Sequence, residues 1–470
     1  MVATIFEYSY TILTFFGVWY TVRKTIHIDH SLKKKIFSWI LFGFVFNLYS
    51  LSWVYTVYPV LWMKEGVLQL LSITTLLTLS AFTASVSFGV VGYAIHKHSK
   101  ELLKPFIFAL SLVVAEIGRS LLLSALYYGS GSTIGLHWTA GTIGNALSTT
   151  PFIEYAYFGG TFMLTGVLGY IVYCFLSIKN IQQYYKHILT LSILLIGIHY
   201  LLPVHGPEKP ISVAVITTNF THNSTISKEY IDLFFKDQTK TLTTMTQSLI
   251  SSSPDIIVYP EDTRYIEHLS KKEKANLFSL FKDTIFVDST TYKKQAGLSV
   301  YTLLYSPSQE KTPGRGKKFL MLFNEYIPVF FNKLFTMFIH AYDFEKYKEQ
   351  HSYEIGTGKQ SISLNGIRIG TIICSEILSF KTMSSLLEEK PDILIYQSHL
   401  SVFHNNPWFV MHMRSFTKIT SAYMRTPLIG SSNGSPSFVV SPYGSIVNTD
   451  STGFNTSLYK VSKEGIYLIK

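Results

Sequence analysis

The sequence predicts a multi-span α-helical membrane domain followed by an α/β domain outside the bilayer. Three observations carry that reading. Of 470 residues, 47% are hydrophobic and only 15% are charged, where ordinary soluble domains carry about a quarter charged residues. The apolar residues crowd into the first part of the chain, and the mean hydropathy is +0.25. From Pro210 onward short β-rich runs alternate with helix-patterned stretches, which is how α/β domains are written. The boundary is expected near position 205, giving a transmembrane domain over 1–205 and a second domain over 206–470.

About six segments are long enough to cross a bilayer core of ~30 Å. They fall near 3–21, 36–56, 66–93, 104–127, 152–176 and 186–204. The first lacks a basic leader and a small-residue cleavage site, so it is expected to stay as a span. Connection charges set the orientation. Arg23, Lys24, Lys33, Lys34 and Lys35 mark the first connection as cytoplasmic, and Lys97, Lys100 and Lys104 the third. Lys179 and Lys186 mark the fifth, whereas 127–151 holds no Lys or Arg. The alternation puts the N-terminus and everything after 205 outside. Glu116 and Arg119 sit one helical turn apart on the fourth span. They either neutralise each other or meet a polar ligand near the outer surface. Trp53 and Tyr55 are expected in an interfacial aromatic belt.

In the second half, "ISVAVITTN", "PDIIVYPED", "TIFVDSTTY", "GLSVYTLLYS", "PDILIYQS", "PLIGSSN" and "SFVVSPYG" read as strands. Helices are expected around 226–252, 377–389 and 408–424, and Asn365-Gly366 marks a hairpin. The stretch 329–344 is too apolar for an exposed helix and too short to span; a core helix and a membrane-lying arm both fit.

The formal charge of +11 comes with no aromatic-and-basic stripe. It reads as attraction to an anionic membrane, with no nucleic-acid partner expected. Cys174 lies in an apolar span and Cys374 far downstream, which argues against a disulfide. No Cys/His cluster and no phosphate loop is visible, so neither metal nor cofactor is expected.

Cys374 ends the apolar run "TIIC", and Glu261 ends "IIVYPE" in the same way. Reaction sites of α/β sheets collect at such strand ends. Lys317 follows the Pro/Gly-rich loop "KTPGRGKK", with Lys318 as its rival, and Glu325 comes eight residues later. A free thiol with a pKa of about 8.5 is mostly protonated near neutrality. A carboxylate that accepts its proton and an ammonium that stabilises the resulting anions make it a nucleophile for acyl transfer.

The order Glu, Lys, Cys resembles the nitrilase, or carbon–nitrogen hydrolase, superfamily. With a membrane region in front, the chain resembles its apolipoprotein N-acyltransferase family. The matching stretches are "SWVY" (52–55), "EIGRSLLLSA" (116–125), "YPE" (259–261), Lys317 with "NEYIP" (324–328), "ICSE" (373–376), "NPWF" (406–409) and "RTPLIGSSNG" (425–434). The resemblance implies an αββα sandwich, with Cys374 as acylated nucleophile, Glu261 as general base and acid, and Lys317 as oxyanion partner. It also implies that Glu325 and Glu376 position Lys317 and the site, and that Trp408 and Asn219 shape the substrate cleft. The implied donor is a phospholipid, and the implied acceptor is the α-amine of a diacylated apolipoprotein. The implied place is a bacterial inner membrane, with the α/β domain on the periplasmic face. Ser375 stands where the family has an aromatic residue, and "KFLMLF" lacks its usual His and Pro. One span at each end of the family's pattern is expected to be missing.

A site at a bilayer suits lipid substrates. Pulling a chain of about 16 carbons into water costs on the order of 12 kcal/mol at ~0.8 kcal/mol per CH₂. The rival readings are a membrane-anchored amidase that releases its acyl group to water and an inactive membrane scaffold of the same fold.

Overall fold

The computed structural model describes residues 2–27, 31–58, 66–97, 104–129, 132–176, 181–220, 231–293, 298–307, 309–312, 314–338, 353–449 and 453–469. The helical half contains α1 (Val2–His27), α2 (Leu32–Ser50), α3 (Gly66–Ser85), α4 (Gly89–Lys97), α5 (Lys104–Leu126), α6 (Gly160–Leu176) and α7 (Ile181–Leu201). A single 3-10 turn, Val86–Phe88, joins α3 to α4, so the third predicted segment is one helical rod. The fifth is interrupted. Pro151–Phe158 forms a 3-10 helix that ends at Gly159–Gly160, and only α6 continues. Among the described residues, three segments are long and apolar enough to cross a membrane: Leu32–Val57, Gln69–Lys97 and Lys104–Leu126. Phe37, Val45, Phe82 and Leu110 on these rods point outward, uncovered by protein.

Glu116 and Arg119 neutralise each other at 3.4 Å, both fully buried. They also organise the chain that follows α5. Arg119 donates to Asn47 Oδ1 (2.7 Å) and to the carbonyls of Trp138 and Ala140, while Glu116 accepts from the N–H of Ile143 (2.8 Å). The 127–151 connection is therefore no free external loop. Residues 137–148 are buried throughout. Arg119→Leu leaves the Glu116 carboxylate uncompensated, at an expected cost of about 3–5 kcal/mol. The loss would show as a lowered thermal midpoint in mild detergent. The Glu116→Leu/Arg119→Leu double variant should recover only part of it, because Asn47 and the two carbonyls still lack their donor.

The α/β half holds thirteen strands among the described residues: β1 (Ile211–Thr217), β2 (Ile256–Val258), β3 (Ile285–Lys293), β4 (Leu298–Ser306), β5 (Gln309–Thr312), β6 (Ser361–Leu364), β7 (Ile367–Ile373), β8 (Ile393–His399), β9 (Leu428–Asn433), β10 (Phe438–Val440), β11 (Ile446–Thr449), β12 (Asn455–Ser462) and β13 (Gly465–Leu468). They form a seven-stranded sheet, β13-β12-β1-β2-β3-β4-β5, and a six-stranded sheet, β11-β10-β9-β8-β7-β6. Each has a parallel centre, β1-β2-β3 and β7-β8-β9, flanked by antiparallel strands. The β6–β7 hairpin turns at Asn365 (φ 50°) and Gly366 (φ 78°), the two positive φ values that a type I′ turn demands.

Period-two patterning makes the sandwich. Val213, Val215, Ile256, Val258 and Val287 from one sheet meet Ile369, Ile393, Ile395 and Ile429 from the other. The opposite face of the first sheet, with Ala214, Ile257, Tyr259 and Phe286, is covered by Leu242, Leu277 and Phe281 from its helices. The opposite face of the second sheet is covered by Phe380–Glu388 and Pro407–Met424, which share one core with the N-terminal helices. The layers are thus α, β, β, α, with the last α layer clamped between the sheet and the membrane-type helices. Trp53 lies in that seam against Phe403 (5.9 Å) and Phe409 (5.5 Å), so it faces the α/β domain and not a lipid interface. Glu7 of α1 joins the same seam through Arg414 and Lys418, each at 3.2 Å. Of the 329–344 stretch, Val329–Phe338 is helical, with Phe331 buried and Val329 and Phe330 exposed; the remainder lies outside the described residues.

Candidate active site

Glu261, Lys317 and Cys374 converge. Glu261 follows β2 by three residues, Cys374 follows β7 directly, and His399 ends β8. These ends meet because both sheets run their parallel strands toward the same edge of the sandwich. Gln397 of β8 fixes the sheets beneath the site. Its amide donates to the Tyr259 carbonyl (2.7 Å), and its oxygen accepts from Thr302 (2.8 Å).

Lys317 reaches the cluster from a loop pressed against β4, where its N–H donates to the Val300 carbonyl (2.8 Å). The glycines beside it permit this approach. A Cβ on Gly314 would stand 1.1 Å from the Thr302 carbonyl oxygen, and one on Gly316 would stand 2.5 Å from Gly356 Cα. The buried ammonium donates to Glu261 Oε1 (3.0 Å) and Glu325 Oε1 (2.7 Å). Glu325 is held in turn by the Met321 N–H (2.6 Å), and Glu261 Oε2 accepts from the His399 N–H (3.0 Å). Lys318, the rival, points away; its backbone N–H bonds to Glu376 (2.6 Å).

Cys374 sits at φ 45°, a left-handed conformation rare outside glycine. Such a residue costs of order 1–3 kcal/mol and persists only where its surroundings enforce it. Glu376 supplies much of that enforcement. Its carboxylate accepts from the Ile373 N–H (2.7 Å), the Lys318 N–H and the buried Arg315 guanidinium. It therefore ties the nucleophile turn to the lysine loop through backbone and Arg315 and does not touch the ammonium. Ser375 makes a second tie, donating to the Phe319 carbonyl (2.7 Å). Cys374 itself is only half-buried, and its thiol and the Glu261 carboxylate influence each other's ionisation.

Burial pushes the Cys374 thiol well above its ordinary range, and the Glu261 carboxylate adds to this against the opposing pull of Lys317. Burial also raises Glu261, to about 7, with Lys317 opposing and Glu325 adding. Burial works against the Lys317 ammonium, but Glu261 and Glu325 outweigh it and hold the group charged. The resting proton belongs on sulfur, beside a carboxylate whose affinity for it is matched to neutral pH.

Trp408 and Asn219 lie elsewhere in their described contacts. The Trp408 ring meets Tyr49 (4.9 Å), His412 (5.3 Å), Phe6 (5.6 Å) and Tyr10 (6.2 Å), in the seam with α1 and α2. Asn219 is exposed just beyond β1, where Asn433 pins its neighbours Thr218 (2.8 Å) and Phe220 (2.7 Å). Sequence reasoning missed Arg315, His399 and Gln397. The last two were signalled by "IYQSH", a third apolar run ending in polar residues parallel to β7.

The αββα sandwich with a Glu–Lys–Cys cluster at its strand ends resembles domains of the nitrilase superfamily, here packed on a helical region with three membrane-length rods among the described residues. Comparison with known proteins supplies a particular relative: the chain is 22% identical over 417 residues to the apolipoprotein N-acyltransferase of Aquifex aeolicus, covering 87% of each. No family model matches the chain. Among solved structures, yeast (Saccharomyces cerevisiae) Nit3, a nitrilase-superfamily member, is 13% identical over 55% of this chain and 91% of its own, with a TM-score of 0.39. A mutant of a Nesterenkonia amidase from the same superfamily is 10% identical over 56% of this chain and 92% of its own, with a TM-score of 0.36.

Proposed function

We propose that this chain is a membrane acyltransferase. It moves a fatty acyl chain from a phospholipid, through a thioester on Cys374, to the N-terminal α-amine of diacylglyceryl-cysteine apolipoproteins. The observation that carries the reading is the convergence of Lys317 Nζ on Glu261 and Glu325 beside Cys374. The similarity to the Aquifex protein along most of the chain supports it. The helical half then forms the transmembrane domain over 1–205 with its six segments, and the α/β half lies on the periplasmic face of the inner membrane.

Catalysis follows from the electrostatics. As the donor ester carbonyl enters, Glu261 takes the thiol proton and sulfur attacks carbon. The new oxyanion is met by the Lys317 ammonium and by a backbone N–H of the nucleophile turn; one such donor contributes roughly 3 kcal/mol. Collapse expels the lysophospholipid oxygen, which receives the proton back from Glu261. An α-amine with a pKa near 8 is partly neutral at pH 7.5. It attacks the thioester and passes its extra proton through Glu261 to sulfur as the amide forms. Water must stay out between the two halves.

Purified protein incubated with a phospholipid and a diacylated lipopeptide should yield the N-acylated peptide and lysophospholipid, read by mass spectrometry. Phospholipid alone should leave one acyl mass on Cys374. Release of free fatty acid with the peptide untouched would replace the transferase by an amidase-type hydrolase.

A further inference from the structure

We propose that His137, in the connection after α5, is a positioning residue of the acyl-transfer site, locking the lysine loop and the nucleophile turn together from the membrane side. The inference deepens the function proposed above and rests on it. His137 is buried, and its ring lies parallel to the Phe319 ring, 5.0 Å apart at 11°. Phe319 is two residues beyond Lys317, and its carbonyl is the acceptor of Ser375, the neighbour of Cys374. Trp138 meets the same ring edge-on at 5.2 Å.

The imidazole also holds the end of the nucleophile turn. Its Nδ1 is 2.8 Å from Ser379 Oγ and its Nε2 2.9 Å from Thr133 Oγ1. Ser379 Oγ donates to Thr382 Oγ1 (2.8 Å), which leaves its lone pair for Nδ1–H; the Thr133 hydroxyl then donates to Nε2. This network assigns the neutral Nδ1–H tautomer. Burial, with Lys381 adding, keeps the ring neutral by pushing its pKa down to about 4. Two residues on, the N–H and hydroxyl of Thr139 both donate to the Leu378 carbonyl, at 3.1 and 2.9 Å. The segment 133–139 thus holds the Leu378–Ser379 end of the turn directly and reaches its other end, where Cys374 sits at positive φ, through Phe319 and its bond to Ser375. Loosening it lets the thiol drift from Glu261 and Lys317, and the thiol's ionisation should register the drift.

The test uses the full chain in mild detergent, with two readouts: the rate of Cys374 acylation by phospholipid alone, and the pH profile of Cys374 alkylation by iodoacetamide. His137→Ala is expected to slow acylation tenfold or more and to move the alkylation midpoint by at least half a pH unit. Ser379→Ala removes the same bond from the other side and should shift the midpoint in the same direction. His137→Asn, which can still donate to Ser379, should restore most of the profile. A purely structural residue would lower the melting temperature and leave the midpoint in place; that result overturns the proposal, as do unchanged profiles in both alanine variants. If wild type is never acylated yet the midpoint still shifts, the acyltransferase reading fails and the positioning role stands.

Discussion

Cys374→Ala is expected to abolish acyl transfer, by at least about 10⁴-fold, because without the sulfur no covalent intermediate forms and only binding and oxyanion donors remain. Cys174→Ala is the internal control. That thiol lies buried in α6, away from every group of the cluster. Its loss should leave turnover within about twofold. The measurement is lysophospholipid release from vesicles, followed for the two variants side by side. A Cys374→Ala protein that still turns over would remove the thioester from the mechanism.

The second large effect belongs to Glu261. General acid–base catalysis contributes roughly 10²–10⁴-fold, and Glu261→Gln keeps the shape while ending proton transfer. A loss of that size is expected, and the pH profile gives the sharper check. Glu261 acts as base only when deprotonated, and burial has raised its pKa to about 7. Transfer should therefore fall as pH drops through about 7 and level off above it, with Lys317 still charged on the alkaline side. A rising limb centred near 4.5, the ordinary carboxylate value, would mean that the proton acceptor is some other group.

The chemistry was legible because it sits where apolar runs stop. β2 is buried at every position and β7 over its last five residues, and the chemistry-bearing residues just past them are Glu261 and Cys374. Lys317 was legible through its glycine-rich loop, and the two glycines prove necessary for the backbone to pass β4. The last strands were missed. β12 is an interior strand of the larger sheet, between β13 and β1, yet its lysine-bearing sequence carries no long apolar run, and only half of its residues are fully buried. The packing of the 127–151 connection was not legible: its charge-poor sequence says nothing of partners more than 100 residues away, such as Tyr10 to the Thr142 carbonyl and Thr139 to Leu378.

By itself, the sequence determined the division into an apolar helical half and an α/β half, most strand and helix positions, and the residue types able to do acyl chemistry. Those follow from local periodicity, chain length and side-chain chemistry, which need no partner. Only the tertiary structure decided that Glu325 touches the lysine and Glu376 does not. It alone decided that Trp53 and Trp408 fill the seam between the halves, and that His137 packs on Phe319 and bonds Ser379. Each of these is a contact between distant segments, fixed by packing of the whole and by the need to satisfy buried polar groups, and no local pattern encodes it.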